Sequence, residues 1–241
     1  MRAKAFFGNT PIMRAFRDRW MNNQQLWALK TVVLILAIYF GFWILMSIVF
    51  WDFGNTETSL LIEDMIDAVV IFLLLRVAIR TYSISLSEMA ITFQWSWRRI
   101  LFGLVMGMVL WLGAGVISDV LSPVLPSWAI VPEEYNFVAQ FGKSRGMAKT
   151  LLFFILAVMT PVIEEIFFRG LIHSVLKRAF SIHGAIIISS SVFAVTHVYP
   201  EVVIISFLMG CSLAWLRERD KSLLGSMIAH TTVNGLSLAF S

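Results

Sequence analysis

Long runs without a charged residue constrain this chain more than any other feature of its sequence. The 21 residues between Lys30 and Asp52 carry no charge. At 1.5 Å per residue, a helix of that length crosses the roughly 30 Å hydrocarbon core of a membrane. The 241 residues are 59% hydrophobic and 14% charged, whereas an ordinary soluble domain is about 25% charged. The sequence therefore predicts an integral membrane protein.

Similar apolar segments recur along the chain and predict an all-α, polytopic membrane helical bundle. We expect about seven transmembrane helices, and the second is the weakest prediction because it carries Asp67. The sixth has only 15 residues, so the fifth and sixth are not expected both to be full spans. The predicted helices cover residues 31–51, 63–80, 98–118, 147–178, 182–198, 202–216 and 222–240.

The placement of lysine and arginine predicts a cytoplasmic N-terminus. With seven helices, only three of the 19 basic residues fall on the far side, namely Lys143, Arg145 and Lys149, and Arg169 lies inside a span. Cytoplasmic segments of membrane proteins are enriched in basic residues, which explains the net charge of +4 without nucleic acid as a partner. The single cysteine, Cys211, excludes an intrachain disulfide.

Three ionisable side chains interrupt the apolar run of the fourth predicted helix. Residues 150–163 carry no charge, and Glu164, Glu165 and Arg169 follow. On insertion scales an ionisable side chain at the bilayer centre costs roughly 2.5–3.5 kcal/mol, so each such residue is a functional-site hypothesis. Because residues four apart share a helix face, Glu165, Arg169 and His173 are expected on one face.

A purely structural interpretation accounts for part of the polar set. Glu165 and Arg169 are expected to form an ion pair within the helix, and His173 and His183 to be ordinary hydrogen-bonding residues. That interpretation leaves Glu164 without a cation of its own. It also leaves unexplained three polar residues of later spans, which are His197, His230 and Asn234.

The unexplained residues are the types that peptide hydrolysis needs. The reaction requires a nucleophilic water, a stabiliser for the oxyanion and a proton for the leaving amine. A buried glutamate can be the general base, and a histidine can share its water or bind a metal. A histidine and an asparagine one turn apart can donate to an oxyanion. No H-E-x-x-H is present, so the chain lacks the zincin helix.

Three short motifs in order resemble those of the CPBP family, the CAAX proteases and bacteriocin-processing enzymes also called Abi. Its eukaryotic relatives include the Ras-converting CAAX prenyl endopeptidase. The resemblance covers about residues 150–240. The motifs are E-E-x-x-x-R as Glu164-Glu165 to Arg169, F-x-x-x-H as Phe193 to His197, and H-x-x-x-N as His230 to Asn234.

The resemblance implies an intramembrane endopeptidase of helical fold. Glu164 would activate the water with His197, while Glu165 would assist or hold Arg169. His230 and Asn234 would stabilise the oxyanion. The resemblance leaves two chemistries open, a glutamate–histidine pair alone or one divalent metal such as zinc. A zinc site would draw on Glu164, His197 and His230, with at least one carboxylate ligand and water.

The same resemblance sets the expected context and domain organisation. The partners would be membrane lipid and a hydrophobic peptide or membrane-protein substrate, in the bacterial cytoplasmic membrane. We divide the chain into a basic cytoplasmic segment (1–30), N-terminal transmembrane helices with a long extracytoplasmic loop (31–149), and a catalytic helical core (150–241).

Two other functions remain open from sequence. A non-proteolytic scaffold or immunity protein could retain the fold, although a binding protein has no need for six buried polar groups. A transporter could use Glu164 and the histidines as a proton relay, but the two halves of the sequence show no inverted repeat.

Overall fold

The computed structural model describes residues 23, 26–27, 29–42, 44–45, 57–82, 84–92, 95–132, 137–197 and 199–240. The predicted basic segment 1–30 lies almost entirely outside these residues. Within them the chain is helical and contains no strand, which confirms the all-α prediction. Eight helices are labelled in order: α1 Leu29–Phe42, α2 Glu57–Tyr82, α3 Trp97–Leu121, α4 Phe137–Lys143, α5 Gly146–Lys177, α6 Ile182–Val195, α7 Pro200–Asp220 and α8 Leu224–Ala239.

Three of the described helices, α3, α5 and α7, are long and apolar enough to cross a membrane. Helices α1 and α6 are apolar but shorter. With 14 residues, α6 extends about 21 Å, less than the hydrocarbon core. Helix α2 has 26 residues but is not among the candidate spans. The number of spans and their orientation therefore stay predictions.

Helix α7 differs from its predicted form. The predicted sixth helix ends at Leu216, but α7 has 21 residues and ends at Asp220. It continues because Arg217 and Glu218 are buried and pair with each other instead of reaching solvent. Lys221 then ends it in a left-handed conformation with φ 51°. The prediction of a short sixth helix was wrong.

The long loop between α3 and α5 contains two short helical segments. Residues Ser127–Ala129 form a 3₁₀ turn, and α4 follows. Phe141 of α4 is buried in a small apolar cluster with Leu152 and Leu156 of α5. The ammonium of Lys149 lies 4.6 Å from the centre of the Phe141 ring, so this connection is tied to the bundle.

Helix α5 is the centre of the fold. Its C-terminal half is buried on all sides, with Phe167, Leu171 and Ile172 each at most 2% exposed. The main core joins it to α1, α2 and α6 through Ile35, Ile71 and Phe193. By contrast, much of α3 presents large apolar side chains outward, among them Val109, Leu112, Val116 and Val120. An outward apolar face is what lipid contact requires.

Two stretches of α5 are wound as π-helix, Ile155–Met159 and Glu165–Ile172. Pro161 lies between them. A proline has no N–H to donate and its ring crowds the carbonyl four residues earlier, which an α-helix interior does not accommodate. π-Helical turns change the hydrogen-bonding register locally and often occur at functional sites. Glu164 and Glu165 stand where the second stretch begins.

Helix α8 approaches α3 at two glycines of α3, Gly103 and Gly107, which form a G-x-x-x-G pair. A Cβ at Gly103 would lie 2.7 Å from the carbonyl oxygen of Gly225, and one at Gly107 would lie 2.6 Å from that of Ala229. Both are closer than real Cβ contacts, so only glycine permits this approach. The pair therefore sets the position of α8, which carries His230 and Asn234.

Candidate active site

Glu165, Arg169 and His230 meet in the interior between α5 and α8. Oε1 of Glu165 lies 2.8 Å from Nη1 of Arg169 and 3.1 Å from Nδ1 of His230. All three side chains are at most 3% exposed. The ion pair expected from sequence is confirmed, and Glu165 also fixes the His230 ring.

Phe193 of α6 packs between the cation and both motif histidines. The guanidinium of Arg169 lies 4.2 Å from the ring centre. The rings of His197 and His230 approach it edge to face, with centroids at 4.8 and 5.9 Å. Phe193 is fully buried, so this ring fixes the relative positions of α5, α6 and α8.

Glu164 is the motif carboxylate that remains accessible. Its side chain is 22% exposed, and Oε2 lies 3.6 Å from Nε2 of His230. That separation is too long for a direct hydrogen bond, but one water could bond to both atoms. The two glutamates therefore serve different sides of one imidazole, with Glu165 at Nδ1 and Glu164 at Nε2.

The hydrogen bonds of His197 define its tautomer. Nδ1 lies 3.1 Å from the carbonyl oxygen of Phe193. A carbonyl only accepts, so Nδ1 carries the proton and Nε2 of the neutral ring carries a lone pair. Among the described residues Nε2 has no hydrogen-bond partner. The ring lies within electrostatic reach of both Glu164 and His230.

Asn234 ties α8 to the first π-helical stretch of α5. Its Nδ2 donates to the carbonyl oxygen of Leu156 over 3.0 Å. A side-chain amide has two N–H groups, so one donor remains for another acceptor. Asn234 is half-buried, and the spacing of four residues places it on the His230 face of α8.

The fit of a metal ion to these residues is poor in the observed arrangement. The Nε2 lone pairs of His197 and His230 have the form that a metal needs. However, in the part of the chain that the structure describes, no three His, Cys, Asp or Glu side chains are grouped so that they could hold a metal ion. We therefore derive no step through a metal, and the zinc alternative stays a prediction.

The other two histidines lie apart from this site. His173 is fully buried, with Nδ1 3.2 Å from Oγ of Ser189 and Nε2 3.0 Å from Oε1 of Glu218. It is the hydrogen-bonding residue that the sequence suggested. His183 is exposed at the start of α6.

Two buried carboxylates were missed by sequence reasoning. Glu218 lies in a charged stretch that is typical of a solvated helix end, so its burial has no sequence signal. Glu201 is 7% exposed and accepts a hydrogen bond from Ser118 of α3. It follows Pro200 at the start of α7, where an acidic residue is expected simply to favour the helix N-terminus.

Comparison with protein families gives one match. Residues 146–236 match the family described as Rce1-like, type II CAAX prenyl endopeptidase Rce1-like. The match begins with α5 and ends within α8, so it contains every motif residue. It confirms the resemblance read from the motifs. No curated protein and no solved structure matches the chain.

Proposed function

We propose that this chain, whose residues 146–236 match the Rce1-like family of type II CAAX prenyl endopeptidases, is an intramembrane endopeptidase. Its substrate would be a hydrophobic peptide or the membrane-associated part of a protein. The apolar helices and the family support an integral membrane protein with peptidase activity. The bacterial cytoplasmic membrane is the location that we propose for it.

One observation carries the assignment of the site. Carboxylates from α5 stand on both sides of one imidazole from α8, at 3.1 Å for Glu165 and 3.6 Å for Glu164. The histidine follows the glutamates by 65 positions or more in sequence, and each of the three is costly to bury in an apolar bundle. Only one of them, Glu164, retains access to water and substrate.

In the mechanism that we propose, Glu164 is the general base. A water bonded to its carboxylate and to Nε2 of His197 loses a proton to Glu164, and the resulting hydroxide attacks the peptide carbonyl. Glu164 then delivers that proton to the leaving amine, which balances the reaction.

The oxyanion would be stabilised from α8. Asn234 offers the amide N–H that Leu156 does not use, and His230 in its protonated form donates from Nε2 while Glu165 holds Nδ1. Such preorganised donors are typically among the largest contributions to acyl-transfer catalysis. Arg169 takes no direct part in the reaction. It balances the charge of Glu165 and orients the Glu165 carboxylate.

The test compares the termini of membrane proteins in cells that express wild type or Glu164→Gln at matched levels. New termini should appear only with wild type, because removing a general base typically lowers the rate roughly 10²–10⁴-fold. Asp119→Asn is a matched control, since it neutralises an exposed carboxylate of α3 outside the site. An undiminished cleavage pattern in Glu164→Gln would rule the mechanism out.

The same assay separates the remaining alternatives. Identical termini with and without the chain, combined with a phenotype that survives substitution of His197 and His230, would favour a scaffold or immunity protein. Loss of cleavage by purified protein on chelation, with recovery on adding zinc, would favour the metal form of the site.

A further inference from the structure

A cavity lies away from Glu164 and His230, at the end of the bundle where α5 and α7 finish. Its volume is about 310 Å³. Four basic side chains and one carboxylate line it, namely Lys177, Arg178, Arg217, Lys221 and Glu88. Lys177 follows Glu164 by 13 residues, which separates the two sites by roughly 20 Å along α5. The proposed catalytic residues take no part in it.

Among the described residues, Lys177, Arg217 and Lys221 outnumber the carboxylates that they pair with. Lys177 and Lys221 both lie 2.7 Å from an oxygen of Glu218, and Arg217 bonds the same carboxylate. Nε2 of His173 also lies within hydrogen-bond distance of the Glu218 carboxylate. One buried carboxylate therefore serves three full positive charges, which leaves a net positive charge at the cavity wall.

Glu88 cancels only part of this excess. Its carboxylate pairs with Arg178 at 3.1 Å. Burial acts to raise the pKa of Glu88, but hydrogen bonds from the backbone N–H of Ser85 and from Arg178 outweigh it and hold the pKa below its usual range. Glu88 is thus ionised at neutral pH. With Glu218 counted, the described residues place two carboxylates beside the four cations of the cavity.

Arg217 supplies an unused donor. Its side chain is 3% exposed. Nη2 donates to the carbonyl oxygen of Glu88 over 2.6 Å and to Oγ of Ser174 over 2.9 Å. Its Nε has no hydrogen-bond partner in the described residues. A buried guanidinium N–H left without an acceptor is unfavourable, so the groups around Arg217 satisfy its guanidinium only in part.

The cavity lies at one end of α5, where a helix that crosses a membrane would meet the lipid headgroups. Helix α5 has 32 residues and is about 48 Å long, so its ends reach past the hydrocarbon core to headgroup level. Basic pockets between helix ends on the cytoplasmic side are typical sites for acidic lipid headgroups. The distribution of lysine and arginine predicts this end to be cytoplasmic.

We propose that this cavity binds a phosphate group, presented either by an anionic phospholipid or by free phosphate. The competing explanation is that cations at helix C-termini simply complement the helix dipole. It explains why Lys177 and Arg217 lie in last turns. It does not explain the cavity, or why three cations share the carboxylate of Glu218. The proposal is independent of the proposed protease activity.

The test uses the full chain, purified in neutral detergent, and measures affinity from ligand-dependent shifts in the unfolding midpoint. Three probes distinguish the sources: dioctanoyl phosphatidic acid, dioctanoyl phosphatidylcholine, and inorganic phosphate against chloride at constant ionic strength. Lys221→Gln is the informative variant, because the Lys221 side chain is 66% exposed. Glutamine should adopt the left-handed backbone conformation of residue 221 about as well as lysine does. Arg219→Gln removes one charge from the same helix end outside the cavity.

We expect phosphatidic acid or phosphate to stabilise wild type, with affinity falling roughly fivefold in Lys221→Gln. The double variant Lys221→Gln/Arg178→Gln should fall roughly 25-fold if the two contributions add, while Arg219→Gln stays within about twofold. Stabilisation by the lipid alone identifies a headgroup site, and stabilisation by both probes identifies a phosphate site. No stabilisation by either probe, or equal losses in Lys221→Gln and Arg219→Gln, overturns the proposal.

Discussion

Glu165 and Arg169 form an ion pair that is almost completely withdrawn from solvent. Removing one partner of a buried pair leaves an uncompensated charge and costs about 3–5 kcal/mol, whereas replacing both is often nearly neutral. We expect Arg169→Met to lower the unfolding midpoint strongly, because Glu165 then stays buried without the cation that lies 2.8 Å from it. Glu165→Gln should also be destabilising, since Arg169 loses its nearest carboxylate.

The double variant Glu165→Gln/Arg169→Met provides the control for that pair. It should unfold at a higher temperature than either single variant, because no unpaired charge remains. Thermal unfolding in detergent, monitored by tryptophan fluorescence, measures all three. If the two single losses simply add in the double variant, the residues do not act as a pair.

For individual residues, the sequence predicted the contacts within a helix but not the contacts between helices. The spacing of four predicted the Glu165–Arg169 pair and the shared face with His173. It could not show that Glu164 lies beside His230, nor that Glu218 would be buried against His173. Those contacts depend on how helices rotate and slide against each other, and no local pattern records that.

Among the helices, α3 acts on the site through its glycines. A Cβ at Gly107 would lie 2.5 Å from Cβ of Thr232 on α8. Gly107→Ala must therefore push α8 away, which we expect to destabilise the protein by about 1–3 kcal/mol. It should also reduce cleavage, because the displaced helix carries His230 and Asn234.

The matched control lies on the same helix. A Cβ at Gly113 would have no described atom within 4 Å, so Gly113→Ala should be neutral or slightly stabilising, since alanine favours helix. Unfolding midpoints and cleavage assays on both variants test the contrast. Equal behaviour of the two variants would mean that the close approach of α3 and α8 does not position the site.

Helix existence was predictable, while helix boundaries and internal winding were not. Uncharged length located α3, α5 and α8 to within a few residues. Helix α7 exceeded its prediction because buried pairing let Arg217 and Glu218 stay helical. The π-helical stretches of α5 have a partial signal in Pro161, but the same proline could equally have produced a kink.

For the whole molecule, the structure brings the predicted cytoplasmic segments to one end of the bundle. The loop after α2 contacts the end of α5 through Ser174 and Glu88. It contacts the α7–α8 turn through the backbone bond from Leu223 to Ala90. Ser118 and Glu201 meet at the opposite end. Which of the two ends faces the cytoplasm stays a prediction from the distribution of lysine and arginine.

Orientation can be measured with single cysteines, because Cys211 is the only native one and serine can replace it. Leu86, 49% exposed, lies at the proposed cytoplasmic end, and Val124, 74% exposed, lies at the proposed outer end. In intact cells a membrane-impermeant maleimide should label Val124→Cys, and it should label Leu86→Cys only after permeabilisation, because the excess of lysine and arginine holds the latter end inside. The serine background without an added cysteine gives the unspecific signal. The reverse labelling pattern would invert the topology and place the basic cavity outside. Labelling of both positions in intact cells would show that α3, the helix between them, does not cross the membrane.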